Sequence, residues 1–130
     1  MERQGKKLNM DHRRHAAALK RKIGQNRGKS RLWLQSPALE GSFVPGARYA
    51  VALLPETRDM YLRVLADGEE PGEGEEKRAR KISGKGDMAI IDMVGAVVDR
   101  AFWGASAVLI KPGSGLREIG GHVMHIRGVD

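Results

Sequence analysis

An internal repetition constrains the fold of this chain more than any other feature of its sequence. Residues 31–54 and residues 90–110 each read as a short apolar strand, a small helix-like turn and a second strand. Gly46 in the first copy falls on Gly104 in the second. A repetition over this distance predicts one small sheet built from two pseudo-equivalent halves.

Local patterns predict the individual elements. Leu32 and Leu34 alternate with Arg and Trp, which is typical of a strand with one buried face. A helical turn is expected to begin at Ser36-Pro37, and Val44-Pro45-Gly46 is expected to form a type II turn. Further strands are expected over residues 48–54 and 60–65, which form a hairpin, and around residues 122–126. The chain as a whole is therefore predicted to be mainly β.

The predicted organisation has four parts, which differ in composition. They are a basic arm over residues 1–30 (with a helix over 10–23 or disordered), repeat 1 over 31–66, a linker over 67–86 and repeat 2 over 87–130. The linker is first acidic and then basic. Its residues 67–76 hold six acids and no base, which, together with Gly and Pro, is typical of a solvated segment.

The net charge of +7 is distributed unevenly. Residues 1–31 carry 11 Lys and Arg against 2 Asp and Glu, whereas residues 32–130 carry 12 against 14. A cationic arm of this kind speeds association with polyanions and makes binding sensitive to salt. The alternative explanation is a solvated tail. We favour nucleic acid because the surplus exceeds what solubility requires.

The residue types exclude several classes of function. The chain has no cysteine, which excludes disulfides, thiolate catalysis and Cys-based zinc or iron–sulfur sites. No apolar run approaches the roughly 18 residues that a membrane span needs. The N-terminus has no apolar segment of the kind found in secretory signals. We therefore expect a cytoplasmic protein with no membrane partner.

No cluster of residues predicts catalysis, a metal or a cofactor. His122 and His125, like an earlier pair of histidines, lack a third ligand. Glu40 and Asp99 occupy matching places in the repeat, but each ends a helical turn, where a surface position is the ordinary explanation. The loop Gly84-Lys85-Gly86 is too short to cradle a phosphate. We expect a non-catalytic protein with no metal and no cofactor.

Three aromatic residues bear on contacts with nucleic-acid bases. Trp33 is expected in the core or at its rim. Trp103 and Tyr61 are candidates for base stacking, although packing is the favoured explanation for both.

The motifs resemble the AbrB/SpoVT swapped-hairpin superfamily, including its SymE-like branch. The resemblance is carried by Leu32-Trp-Leu34, Ala38-Leu39 and Ser42-Phe-Val-Pro-Gly-Ala-Arg-Tyr49, with the family's glycine before the Phe displaced to Gly41. In that family two chains interlock to complete one barrel that usually binds DNA. The resemblance implies a small barrel from two pseudo-symmetric AbrB-like β-α-β-β repeats in one chain, preceded by the basic, partly helical arm.

A narrower likeness is to the N-terminal extension of some phage and bacterial cytosine-DNA methyltransferases. It is carried by Asn26-Arg-Gly-Lys-Ser-Arg-Leu-Trp-Leu34, Pro45-Gly-Ala-Arg-Tyr49 and Arg80-Lys-Ile-Ser-Gly-Lys85. We expect no catalytic activity of that kind, since these 130 residues hold no cysteine nucleophile. The likeness implies a phage-encoded module that only binds.

The resulting hypothesis is a non-catalytic nucleic-acid-binding module, with DNA favoured over RNA, acting as a monomer or a homodimer. Phosphate contacts are expected from cations in the arm and in the lead-in to repeat 2. They are Arg13, Arg14, Lys20, Arg21, Lys22, Arg27, Lys29, Arg31, Arg78, Arg80, Lys81 and Lys85. The alternative is a protein-interaction module, such as a phage inhibitor of a host defence complex. A nuclease toxin would require a metal or acid–base cluster.

Overall fold

Antiparallel strands in two sheets make up most of the structure, a computed structural model that describes residues 19–36, 43–86, 88–112 and 123–130. In chain order the strands are β1 (Leu19–Lys22), β2 (Gly24–Asn26), β3 (Lys29–Ser36), β4 (Arg48–Leu54), β5 (Asp59–Val64), β6 (Arg80–Lys81), β7 (Ser83–Lys85), β8 (Met88–Val94), β9 (Ala107–Pro112) and β10 (Val123–Val129). A 3-10 helix, Pro55–Thr57, joins β4 to β5, and helix α1, Ala96–Ala101, lies between β8 and β9. The predicted mainly β fold is confirmed, with a curled half-barrel arrangement.

Each sheet is built around one central pair of strands. The six-stranded sheet has the order β1-β9-β10-β5-β4-β6, and the four-stranded sheet has the order β2-β3-β8-β7. Only Ile23 separates β1 from β2, and only Ile82 separates β6 from β7. At both places the chain therefore passes directly from the edge of the six-stranded sheet to the edge of the four-stranded sheet.

One buried cluster draws side chains from both sheets. Leu32 and Leu34 on β3 alternate with exposed neighbours and pack with Ile91 and Met93 on β8. The six-stranded sheet contributes alternate residues of its central strands to the same cluster, as expected when one face of each sheet is buried. They include Val51, Met60, Leu62, Val108, Ile110, Met124 and Ile126.

The predicted turn and helix have clear local causes. Ala47 N–H donates to the Val44 carbonyl oxygen (3.1 Å) across Pro45-Gly46, and Gly46 has φ +91°, as the third position of a type II turn requires. Helix α1 begins after Gly95 and buries Val97 and Val98. The strands predicted over residues 48–54 and 60–65 are found as β4 and β5. Ser36, where a helical turn was expected to begin, is the last residue of β3, and the rest of that turn, from Pro37 onward, lies outside the described residues.

The prediction of a helix over residues 10–23, or of disorder in the arm, is wrong for its described part. Residues 19–22 form β1, which pairs with β9 in the register Leu19 to Ile110, and β2 and β3 follow it. Leu19 and Ile23 pack against the core. A short isolated helix is marginal in water, so strand pairing and core burial override its propensity. Residues 10–18 lie outside the described residues.

The predicted linker over residues 67–86 also differs from the structure. Its basic end contains two strands: β6 pairs with β4, and β7 pairs with β8. The strands of the second half therefore begin at Arg80, before the expected boundary at residue 87.

Candidate nucleic-acid interface

The structure distributes the predicted phosphate-binding cations over two edges and one face. Lys20, Arg21 and Lys22 lie on β1, and Arg80 and Lys81 lie on β6, at opposite edges of the six-stranded sheet. Lys29, Arg31 and Lys85 lie on the four-stranded sheet, and Arg27 lies in the turn between β2 and β3. Arg78 is exposed ahead of β6, and Arg13 and Arg14 lie outside the described residues.

The face of the four-stranded sheet that points away from the core carries an exposed aromatic side chain. Because Leu32 and Leu34 point into the core, the alternate residues of β3, Arg31, Trp33 and Gln35, point outward. Trp33 lies opposite Asp92 on β8 and is 40% exposed. Trp33 therefore occupies the middle of the face rather than the core.

A small network holds the Trp33 ring in place. The Arg31 guanidinium donates two hydrogen bonds to the Asp92 carboxylate (2.9 and 3.0 Å) and lies 4.5 Å from the centre of the Trp33 ring. Trp33 Nε1 donates to Gln35 Oε1 (3.2 Å). The hydrogen bond to Asp92 also raises the pKa of Arg31.

An open depression of about 480 Å³ adjoins this network, lined by Gly84, Lys85, Met88 and Ile90. Ile90 lies opposite Gln35 and comes two residues before Asp92, on the same face of β8. Gly84 is required by the close approach of β7 and β8. Its φ is +122°, and a Cβ there would collide with the Met88 carbonyl oxygen.

Charge on the four-stranded sheet is strongly biased. Among its described residues, 24–36, 83–86 and 88–94, four cations stand against one acid, Asp92, which Arg31 already pairs. Arg27, Lys29 and Lys85 are exposed around the face. Cations around an exposed apolar surface give it the electrostatic character that polyanions bind.

The acidic segment, residues 67–76, packs against the other sheet, although the sequence predicts a solvated linker. Arg63 on β5 donates two hydrogen bonds to Glu75 (both 2.8 Å) and one to Glu69 (2.7 Å). Arg48 donates to the Glu69 carbonyl oxygen (2.6 Å). The hydrogen bond from Arg63 lowers the pKa of Glu75, so this carboxylate stays ionised in contact with the sheet.

One predicted phosphate contact is drawn into this same packing. Arg80 lies 3.6 Å from Glu76 in an ion pair, with its side chain about one-third exposed. Lys81, its neighbour on β6, is exposed. Among the cations of this edge, Lys81 is therefore better placed than Arg80 to meet an external ligand.

Sequence reasoning missed a buried polar cluster at the centre of the six-stranded sheet. His125 Nε2 lies 2.6 Å from Asp59 Oδ1, and Arg127 donates to both carboxylate oxygens of Asp59 (2.9 and 3.2 Å). Tyr61 stacks on the His125 ring with centroids 4.6 Å apart. No signal in the sequence links Asp59 to His125, because 66 residues separate them.

The chemistry of this cluster is that of a structural tie between β5 and β10. Burial alone would raise the pKa of Asp59, but hydrogen bonds from Arg127, Thr57 and His125 outweigh it and hold that pKa well below its usual range. Asp59 and His125 are both buried, and Tyr61 covers the imidazole. In the part of the chain that the structure describes, no group of three His, Cys, Asp or Glu is arranged to hold a metal ion.

No family model, curated protein or solved structure matches this chain at a significant level. Among the described residues, neither helix has the length and apolar character needed to cross a membrane.

Proposed function

We propose that this chain is a non-catalytic nucleic-acid-binding module that favours DNA and binds it on the outward face of the four-stranded sheet. The observation that carries the proposal is the grouping of Arg27, Lys29 and Lys85 around exposed Trp33, where the one acid among the described residues of the sheet, Asp92, is already paired. The acidic segment, which holds six of the 16 acids of the chain, packs on the other sheet through Arg63 and leaves this face open.

The resemblance to interlocked AbrB-like repeats is supported by a pseudo-twofold relation between the halves. Exchanging β1–β5 with β6–β10 leaves the strand order of both sheets unchanged. Ile23 N–H donates to the Ser106 carbonyl oxygen (3.0 Å), and Ile82 N–H donates to the Ala47 carbonyl oxygen (2.8 Å). The two donors, Ile23 and Ile82, lie 59 residues apart in the sequence, and the two acceptors, Ala47 and Ser106, lie 59 residues apart as well. Each bond is therefore the equivalent of the other after the two halves are exchanged. Each half thus supplies an edge strand to the other, as in a swapped hairpin.

This relation gives an equivalence between cations that differs from the one expected from sequence. A separation of 59 residues matches Arg21 with Arg80 and Lys22 with Lys81. It matches Lys85 with Asn26 rather than with one of the cations that precede repeat 1. The two equivalent pairs lie at opposite edges of the six-stranded sheet, where the chain crosses to the four-stranded sheet. We infer that Lys22 and Lys81 extend the cationic surface on both sides of the open face, whereas Arg80 is paired with Glu76.

A charge-reversal experiment tests the proposal. The full chain and the variant Arg27→Glu/Lys85→Glu are titrated against fluorescein-labelled DNA, with fluorescence anisotropy as the readout. The control, Lys77→Glu/Lys111→Glu, makes the same change in net charge away from the open face. We expect the first variant to lose most of the affinity and the control to lose much less. Equal losses would show that net charge, and not this face, governs binding.

The alternative function, a protein-interaction module, is favoured by one observation. Trp33 and Val94 expose 40% and 37% of their surface on the same face. Exposed apolar groups on a sheet are also typical of protein interfaces. This alternative predicts that the full chain does not bind nucleic acid at low ionic strength, whereas the proposal predicts measurable binding under that condition.

A further inference from the structure

We propose that the open face of the four-stranded sheet binds a single strand of nucleic acid, with one base stacked on Trp33 and an adjacent base in the depression beside Met88 and Ile90. This inference rests on the proposed function and names the form of nucleic acid that the same face selects.

Trp33 is arranged as a stacking platform. Its ring is held from one side by the Arg31 guanidinium at 4.5 Å, and its indole N–H is held by Gln35. Asp92 fixes the guanidinium through two hydrogen bonds. The exposed aromatic surface is therefore already ordered before any ligand arrives, which reduces the entropy lost on binding. Stacking on an aromatic ring tolerates any base, because every base has a π-face.

The depression lies within reach of a second base. Ile90 is diagonal to Trp33, since Trp33 faces Asp92 and Gln35 faces Ile90 across the β3–β8 pair. Diagonal neighbours of this kind lie about 7–8 Å apart. Met88 and Ile90 give the depression an apolar floor, and Lys85 gives it a charged wall.

The same arrangement disfavours a duplex. The bases of a duplex are stacked on one another and cannot lie flat against a protein ring, so an exposed aromatic face on a sheet contacts bases only where they are unpaired. Arg27 and Lys29 at the turn end of β3 and Lys85 on β7 lie beside the platform rather than on it. They are placed to contact the backbone of a strand whose bases face the sheet.

The test compares one labelled DNA oligonucleotide of mixed sequence, as a single strand and annealed to its complement. Binding of the full chain is measured by anisotropy, together with the variants Trp33→Ala and Trp33→Phe. Trp103→Ala is the matched control, because Trp103 is also exposed but packs away from the open face, where its indole N–H donates to the Pro55 carbonyl oxygen (2.9 Å) after β4. Thermal unfolding of each variant checks that it is folded.

We expect the single strand to bind more tightly than the duplex, and Trp33→Ala to weaken single-strand binding by about 5- to 150-fold. Trp33→Phe retains part of the affinity, and Trp103→Ala changes it by less than about twofold. Tighter binding of the duplex, or full single-strand affinity in Trp33→Ala, overturns this inference. If the Arg27→Glu/Lys85→Glu variant still loses affinity in that case, the proposed function stands. Failure of the full chain to bind either form overturns both.

Discussion

Replacing Asp59 by asparagine is expected to lower stability by an amount that depends on pH. Asp59 is 4% exposed and accepts hydrogen bonds from His125 and Arg127 at 2.6, 2.9 and 3.2 Å. The amide keeps the shape and one acceptor oxygen but loses the charge and places an N–H₂ group among donors. The variant therefore tests the charge rather than the volume of the side chain.

The magnitude follows from the contacts. Breaking a buried ion pair costs about 3–5 kcal/mol, and a hydrogen bond to a charged group contributes about 1.5–3 kcal/mol. The Arg127 side chain is 47% exposed and regains water when Asp59 is neutral, so the loss falls at the lower end. We expect the free energy of unfolding to fall by about 2–4 kcal/mol at neutral pH.

The sign of the pH dependence follows from the lowered pKa of Asp59. The folded protein holds this carboxyl ionised below the pKa of about 3.9 that it has in the unfolded chain. Its stabilisation is therefore fully present above that value and is lost as the pH falls towards the folded pKa. The difference between wild type and Asp59→Asn is expected to be largest at neutral pH and to shrink below about pH 4.

Urea unfolding of both proteins at several pH values measures this difference, with Asp67→Asn as a control at an exposed acid. The control is expected to change stability by less than about 0.5 kcal/mol. A wild-type-like stability of Asp59→Asn at neutral pH would refute the reasoning. So would a deficit that stays constant as the pH falls.

Three further predictions concern the elements around the site. Gly84→Ala is expected to cost about 2 kcal/mol or more by thermal unfolding, because the new Cβ collides with the Met88 carbonyl, whereas Gly24→Ala meets only ordinary contacts; equal effects would contradict this. Glu75→Gln is expected to lower the free energy of unfolding by about 1–2 kcal/mol and to make the acidic segment more sensitive to limited proteolysis, because it weakens the pairing with Arg63. Glu73→Gln, at an exposed position, is the control, and unchanged proteolysis of Glu75→Gln would contradict the prediction. Removal of residues 1–18 is expected to leave β1 intact and to make DNA binding less sensitive to salt. The slope of the logarithm of the association constant against the logarithm of salt concentration should become shallower by about 0.7 for each phosphate that these residues neutralise. An unchanged slope would show that they neutralise none.

Local patterns predicted much of the described fold because the energies that fix these elements are local. Apolar runs separated by Pro55 and a short polar loop identified β4 and β5, and Pro45-Gly46 identified the turn that precedes β4. These signals depend on neighbours along the chain, and a strand with one buried face must alternate whatever its partner is.

Elements fixed by distant partners were predicted poorly. Leu19 and Ile23 have helical spacing, but pairing of β1 with β9 decides their conformation. The sequence places Glu69 and Glu75 in a solvated linker, whereas in the structure both pair with Arg63. Arg63 lies on β5, and the local sequence pattern does not show that the acidic segment folds back onto that strand.

The candidate site shows the same division. Nine of the twelve proposed cations lie on described strands or on the turn between β2 and β3, but the sequence did not show which of them share a face. Trp33 was expected in the core or at its rim, but its neighbours Leu32 and Leu34 point into the core, so Trp33 points outward and is 40% exposed. Composition determines how many cations a chain has, and only strand pairing decides which of them share a face.

The most direct test of the proposed interface is the salt dependence of DNA binding by the full chain. If Arg27, Lys29 and Lys85 each neutralise a phosphate of a single strand, the logarithm of the association constant falls linearly with the logarithm of salt concentration, with a slope of about −2 or steeper. The Arg27→Glu/Lys85→Glu variant should show a shallower slope. A flat response of the wild-type chain to salt, or no binding at low ionic strength, would contradict the proposed interface.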